Sequence, residues 1–231
     1  MENHQYDLII PFSNMVYAIG DEILKSQPFA YIISSSYFTE VCDYCFKFTL
    51  EDDSIKLRKC LRCKIAHYCS KSCQEKAWKS HHGFECIYLK NAPTPKFFQE
   101  DFLSDTLRMI LRVITKLENG GKEEFVMIFG KKRYFDDLMS HKQEFEASST
   151  IMKAFDQLHA LIEFWLKDKA PSKDELLEIY GKLTINQYGI QVARLSGELV
   201  IGQGLYLGAS VVDHSCSPNA VRVFKGKLNY L

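Results

Sequence analysis

The chain has 231 residues, 46% of them hydrophobic and 25% charged, with 29 basic and 29 acidic side chains. That composition excludes a disordered chain, which could not bury enough apolar surface to offset the entropy of folding, and it leaves room for a core in one or two domains. A formal charge of zero removes the general phosphate attraction on which most nucleic-acid binders rely, and no apolar run approaches the roughly 18 residues that would span a bilayer.

The first ten residues carry Glu2 and Asp7 and no basic stretch ahead of an apolar one, unlike a secretory signal. The sequence therefore predicts a reducing compartment, the cytoplasm and nucleus. Residues 6 to 41 alternate apolar runs with turn signals: Leu8 to Pro11, Gly20 to Leu24, and Phe29 to Ile33 after Pro28. These predict short strands.

Next come seven cysteines and a histidine pair: Cys42-x2-Cys45, Cys60-x2-Cys63, Cys69-x3-Cys73, His81-His82 and Cys86. Zinc takes four thiolate or imidazole ligands in a tetrahedron, and a Cys-x2-Cys turn supplies two of them. Four pairs would hold two Zn2+. Cys69 and Cys73 stand about 40° apart on a helix, so both sulfurs leave one face. His82 to Cys86 repeats that four-residue step, whereas His81 to Cys86 would be about 140° apart; the spacing favours His82 and leaves His81 as the alternative. Disulfides do not space cysteines this way, and nothing marks the chain as secreted. From Cys42 to Lys90 there are ten basic and six acidic side chains; seven thiolates against two Zn2+ bring the module close to neutral, so a peptide-binding or architectural role suits it better than DNA binding.

After the Asn91 to Pro95 linker, Phe102, Leu103, Leu107, Ile110, Leu111, Ile114 and Leu117 recur at helical spacing until Asn119-Gly120-Gly121, predicting an amphipathic helix. A second stripe runs Ile151, Phe155, Leu158, Ile162, Trp165 and Leu166, and a third helix is expected over 173–183. From Ile185 the texture turns to short apolar segments punctuated by glycine: Ile190 to Leu195, Leu199 to Ile201, Leu205 to Leu207, Val211-Val212 and Val221 to Phe224. These again predict strands, so the two β-rich ends are expected to form one structure split by insertions.

Two motifs carry a family resemblance. Tyr68-Cys69-Ser70-x2-Cys73-Gln74-x3-Trp78 followed by His82-x3-Cys86, with the two Cys-x2-Cys pairs upstream, resembles a MYND zinc finger. That family usually has two residues between its Trp and its ligand histidine; here Trp78-x2 reaches His81, as if one residue were inserted. Gly202-x-Gly204-Leu205-Tyr206 followed by Asp213-His214-Ser215-Cys216-Ser217-Pro218-Asn219 resembles the core motif of SET domains. Together they resemble the SMYD family of SET and MYND domain-containing protein-lysine methyltransferases. The resemblance implies an α+β chain, a small β-rich SET fold split by a two-zinc MYND finger and a helical insertion, with the C-terminal part of SET missing. Its expected divisions are 1–41 (N-terminal SET segment), 42–86 (finger), 87–184 (linker and helical insertion) and 185–231 (partial SET core).

The resemblance also implies interleaved ligands: Cys42, Cys45, Cys69 and Cys73 on one zinc, Cys60, Cys63, His82 and Cys86 on the other. It implies S-adenosylmethionine as cofactor, with His141, Asn186, Asp213 and His214 in the places of family contacts, and a histone or other protein as substrate or partner. A monomer is expected, with neither nucleic acid nor membrane as partner. Three departures stand out. Leu8-Ile9-Ile10 lies where active members carry Gly-x-Gly; Asp213 replaces an Asn, losing two amide donors; and Leu231 follows soon after the core motif, ahead of the family's catalytic tyrosine and cysteine cluster, with Tyr230 too close to serve. The sequence therefore assigns no catalytic residue and predicts impaired or absent transfer for this chain. The alternative is a non-catalytic adaptor whose finger binds peptides, with Phe46, Phe48 and Trp78 as candidates for its apolar surface, although Trp78 is expected rather to pack inside the finger.

Overall fold

The computed structural model describes residues 17–49, 54–91, 102–194, 197–212, 216, 218, 220–226 and 228–230. In chain order, β1 (Lys25–Ser26) and β2 (Ala30–Ile33) precede the cysteine-rich module, which contains β3 (Arg58–Lys59), β4 (His67–Tyr68), α1 (Lys71–Ala77) and α2 (Gly83–Lys90). Then follow α3 (Phe102–Lys116), a hairpin of β5 (Phe125–Ile128) and β6 (Lys131–Tyr134), and α4 (Lys142–Ala147), α5 (Ser149–Leu166) and α6 (Lys173–Asn186). The last strands are β7 (Gln187–Arg194), β8 (Gly197–Leu205), β9 (Val223–Lys225) and β10 (Leu228–Tyr230). The result is a mixed helix and strand chain, without a barrel among the described residues.

Local chemistry accounts for the helix starts. Ser70 accepts from the Cys73 amide (3.1 Å) and Ser148 from the Ile151 amide (3.4 Å), satisfying donors that a helix leaves unpaired. Ser172 and Glu175 form a reciprocal capping box at the start of α6. The α5 stripe buries Phe155, Leu158, Ile162, Trp165 and Leu166, as its spacing predicts. Helix α3 differs from the amphipathic surface helix expected: from Leu107 to Thr115 every residue is buried, because the helix runs between β2, α2, α5 and α6. A helix covered all round lies in a core, and this one carries Arg108 and Arg112 into it.

The sheets join segments from opposite ends of the chain. β2 pairs antiparallel with β8, Ala30 opposite Leu205 and Ile33 opposite Gly202, and β8 pairs with β7. β1 pairs with β10, which pairs with β9. Buried apolar side chains run continuously from β2 through the cysteine module to α3, α5 and α6.

Several sequence expectations need correction. Gly20 to Leu24 is not a strand; pairing begins at Lys25. Leu199 to Ile201 and Leu205 belong to the single strand β8, because Gly202 and Gly204 lie inside the ladder, opposite Ile33 and Tyr31, rather than in turns. Val211-Val212 is not extended: Val211 ends a 3-10 turn. The helical block also contains the β5–β6 hairpin, turned by Phe129 and Gly130 in left-handed conformations, which no alternating pattern announced. The expected strand at Leu8 to Pro11 lies outside the described residues.

Candidate metal centres

Each Cys-x2-Cys pair sits on a tight turn closed by one amide. Phe46 N–H bonds to Cys42 O (3.0 Å), and Lys64 N–H bonds to Cys60 O (2.9 Å). Both closing residues are left-handed, Phe46 at φ 64° and Lys64 at φ 63°, where glycine is favoured and an L-residue costs about 1–2 kcal/mol. The turns aim donors at sulfur: Cys69 N–H reaches Cys42 Sγ at 3.4 Å. Hydrogen bonds from the Cys45 thiol and the Cys45, Cys69 and Tyr44 amides draw Cys42 down to about 5 against the opposing effect of burial. In the second turn the Cys63 thiol and His82 draw Cys60 down to about 3. Thiolates, the metal-binding form, are favoured at both.

The turns gather two groups of four. Cys42, Cys45, Cys69 and Cys73 form one, Cys60, Cys63, His82 and Cys86 the other, with the possible ligand atoms of each group within 4.8 Å of one another. In the first, Cys45 Sγ and Cys69 Sγ are 3.5 Å apart, and Cys69 Sγ and Cys73 Sγ 3.6 Å. In the second, Cys60 Sγ and Cys86 Sγ are 3.8 Å apart, and Cys63 Sγ lies 3.7 Å from His82 Nε2. A tetrahedron with Zn–S bonds of about 2.3 Å has edges of about 3.7 Å, whereas a disulfide needs about 2.05 Å. All of these cysteines are free. The donor types and spacings fit zinc.

Cys69 precedes α1 rather than lying on it, so the Cys69–Cys73 pair combines a strand end with the first turn of a helix. Trp78 to His82 form a π turn between α1 and α2, with Gly83 N–H bonded back to Trp78 O. A π turn holds one residue more than an α turn, which accommodates the extra residue between Trp78 and the second histidine. A side chain at Gly83 would meet Trp78 O at 2.6 Å, so glycine is required there. His82 faces the sulfurs, while His81 faces the opposite way: its Nε2–H donates to Asp43 Oδ2 (3.2 Å) and its Nδ1 accepts from Ser80 Oγ (2.8 Å). Burial, and then the charge of Arg112, holds His81 down to about 4, so it is neutral at pH 7.

Behind the groups lies a buried charge cluster that sequence reasoning missed. His82 Nδ1–H donates to Glu85 Oε1 (3.3 Å), the carboxylate contact that orients a ligating imidazole. Arg112 Nε donates to Glu85 Oε2 (2.8 Å), and Arg108 Nη2 donates to Asp43 Oδ1 (2.6 Å). Arg112 Nη2 also lies 3.4 Å from Asp43 Oδ2. Burial alone would raise both carboxyls, but the two guanidiniums hold Asp43 and Glu85 below the usual carboxylate range. Asp43, His81 and Glu85 also lie close enough to hold a metal, yet two arginines already neutralise the carboxylates and would repel a cation. The available signal was positional: Asp43 sits inside Cys42-x2-Cys45, Glu85 precedes Cys86, and Arg108 and Arg112 stand four apart amid the apolar residues of one helix.

The cofactor candidates are placed differently. Asn186 is buried, and its Nδ2 donates to Met139 O and Lys182 O, both at 2.8 Å, so both amide hydrogens are committed to backbone. His141 is half-buried, left-handed at φ 49°, and 3.2 Å from Glu144. Gly202 and Gly204 are explained by internal packing: a Cβ would meet Ile32 O at 2.2 Å in the first case and the Tyr206 ring at 2.5 Å in the second. Asp213, His214 and Leu8-Ile9-Ile10 lie outside the described residues. For the adaptor surface, Phe46 and Phe48 are buried at 5% and 1% exposure, whereas Trp78 is 43% exposed; two of those three side chains are core.

Residues 42–86 match the family model of the MYND finger. Histone-lysine N-methyltransferase ASHR1 of Arabidopsis thaliana is 29% identical over 90% of this chain and 41% of its own length. Human Histone-lysine N-methyltransferase SMYD3 is also 29% identical, over 90% of this chain and 45% of its own, and human N-lysine methyltransferase SMYD2 is 26% identical over 92% and 45%. Over nine-tenths of its length the chain is thus similar to lysine methyltransferases, SMYD2 and SMYD3 among them. It spans less than half the length of these curated relatives. Its MYND finger is zinc-binding, and no helix among the described residues is long and apolar enough to cross a membrane.

Proposed function

We propose that this chain carries the zinc finger and part of the cofactor side of a protein-lysine N-methyltransferase, which moves the S-adenosylmethionine methyl to a lysine of a histone or another protein. The observation that carries this reading is likeness to named lysine methyltransferases across nine-tenths of the chain. Two Zn2+ are held in it, one by Cys42, Cys45, Cys69 and Cys73, the other by Cys60, Cys63, His82 and Cys86. Each bridges segments that no strand pairing joins among the described residues, and each contributes on the order of 10 kcal/mol or more to folding.

S-adenosylmethionine supplies an electrophilic methyl when bound. Asn186 would offer it only the side-chain carbonyl, since its donors hold Met139 and Lys182; His141, Asp213 and His214 are the other proposed contacts. Pairing of β2 with β8 supports the split-SET reading, because it places the strand ahead of the core motif against the N-terminal segment. The finger is read as part of this body, acting on protein partners in the cytoplasm and nucleus.

The test combines metal analysis with isothermal titration of S-adenosylmethionine into the zinc-replete chain. Two zincs per chain and saturable binding that weakens in His214→Ala are expected. A folded, two-zinc chain that binds no S-adenosylmethionine would refute the cofactor reading and leave the zinc assignment standing.

A further inference from the structure

The cysteine module and the β2–β8–β7 sheet meet through four buried side chains. On the module's side, Asp43 stands between two cysteines of one group, and Glu85 adjoins Cys86 and holds His82 of the other. On the sheet's side, Ser34 N–H bonds to Ile201 O (3.0 Å), so by antiparallel alternation the even-numbered residues of β2 face β8 and the Tyr31 and Ile33 carbonyls face outward. No strand pairs with that outer edge among the described residues. Instead Arg108 Nη1 donates to Ile33 O (3.2 Å), and Arg112 Nη1 donates to Tyr31 O.

The geometry suits the task. A four-residue step on a helix rises about 6 Å, and alternate residues of a strand lie about 6.8 Å apart, so two arginines one turn apart on α3 match two successive outward carbonyls of β2. Each guanidinium spans the gap with one arm on the sheet and another on a carboxylate of the module. The rings add to the fit: Arg108 lies over Phe38 and Arg112 over Tyr31, 4.9 and 5.3 Å from the centroids. Two positive and two negative charges balance inside the core.

We infer that Arg108 and Arg112 form a latch through which the metal state of the finger sets the order of the β2–β8–β7 sheet. Zinc in the two cysteine groups fixes the turns that present Asp43 and Glu85; these hold the guanidiniums, and the guanidiniums hold the outer edge of β2. When the metal leaves, the carboxylates lose their positions, the arginines lose their anchors, and the edge strand frays before the helical block does. The inference rests on the zinc reading above. Under the methyltransferase reading, it makes the strand ahead of the core motif dependent on the finger.

Hydrogen exchange with peptide resolution tests this on the whole chain. Chelation of the wild type is expected to speed exchange over 30–33 and 197–205 by at least about tenfold while 149–166 keeps its protection. Retained sheet protection after both zincs have left, or simultaneous loss in the sheet and α5, overturns the inference. A second arm uses Arg108→Lys, which keeps the charge but lacks the fork that reaches Asp43 and Ile33 together. With metal still bound, the sheet peptides should accelerate while finger peptides do not; unchanged sheet exchange overturns the inference. Fewer than two zincs in the wild type would defeat the metal reading alone, and the Arg108→Lys arm, which needs no metal removal, would still decide the latch.

Discussion

Replacing Arg112 by Met should be among the most damaging single changes to this chain that leave its candidate metal ligands intact. Arg112 is buried and donates to Glu85 through Nε and Nη2, lies 3.4 Å from Asp43, and caps Tyr31 O. Methionine fills similar volume, so packing is largely kept. What remains is two buried carboxylates facing one guanidinium, an uncompensated negative charge in the core. Breaking a buried pair in this way costs about 3–5 kcal/mol, a large share of the roughly 5–15 kcal/mol that stabilises a domain. Urea unfolding in zinc-saturated buffer measures it, with Trp78 and Trp165, the two tryptophans of the chain, reporting the finger and α5. Arg112→Met with Glu85→Gln removes both charges and leaves Asp43 with Arg108, so the double variant should recover about 1–3 kcal/mol relative to the sum of the singles. A loss under about 1 kcal/mol for Arg112→Met, or strict additivity, would refute the view of the cluster as a charge-balanced unit.

Cys60→Ala should lower zinc from two ions per chain to one by elemental analysis, since Cys60 belongs to one group only; loss of both, or of neither, would contradict the interleaved assignment. Gly83→Ala should destabilise by about 1–3 kcal/mol in thermal unfolding, because the added methyl would lie 2.6 Å from Trp78 O, a backbone atom that cannot turn aside. Lys64→Gly should be neutral or stabilising by up to about 1 kcal/mol, relieving the left-handed strain at φ 63° less the entropy that glycine loses on folding. Asp213→Asn should tighten S-adenosylmethionine binding by roughly tenfold in titration calorimetry, if restored amide donors make one further hydrogen bond; unchanged affinity would remove residue 213 from the contact set.

The finger was legible because zinc imposes local rules: ligand pairs three or four residues apart can be read without knowledge of the fold. The apolar stripes of α5 and α6 were legible for the same reason, since one face of each helix meets the core and the period records it. What could not be read was set by neighbours distant in sequence. Arg108 looks like a surface arginine until Asp43 and Ile33, 65 and 75 residues away, are brought against it. Gly202 and Gly204 suggest turns until β2 is laid beside them, when they become close approaches within a ladder. The β5–β6 hairpin escaped because its strands are short and Lys131, Lys132 and Arg133 obscure any alternation. Phe46 and Phe48 looked available to a partner because sequence does not reveal that β2 and the turn after it reach them; Tyr31 packs on Phe46 at 5.1 Å and Tyr37 on Phe48 at 6.1 Å between ring centroids.

The wide turn at Trp78 to His82 bears on how sequences of this kind are aligned. An added residue in an ordinary helix rotates everything after it by about 100°, and a fixed-spacing template would therefore choose His81, the first imidazole it meets. Here the widened backbone absorbs the surplus and turns the next histidine toward the sulfurs. The displaced imidazole has gained a different occupation, donating to Asp43 inside the core. Deleting Ser80 would thus do more than shorten a loop: it would leave the second histidine at the usual spacing after Trp78, in an ordinary α turn, and would remove the hydroxyl that bonds His81 Nδ1 behind the contact to Asp43.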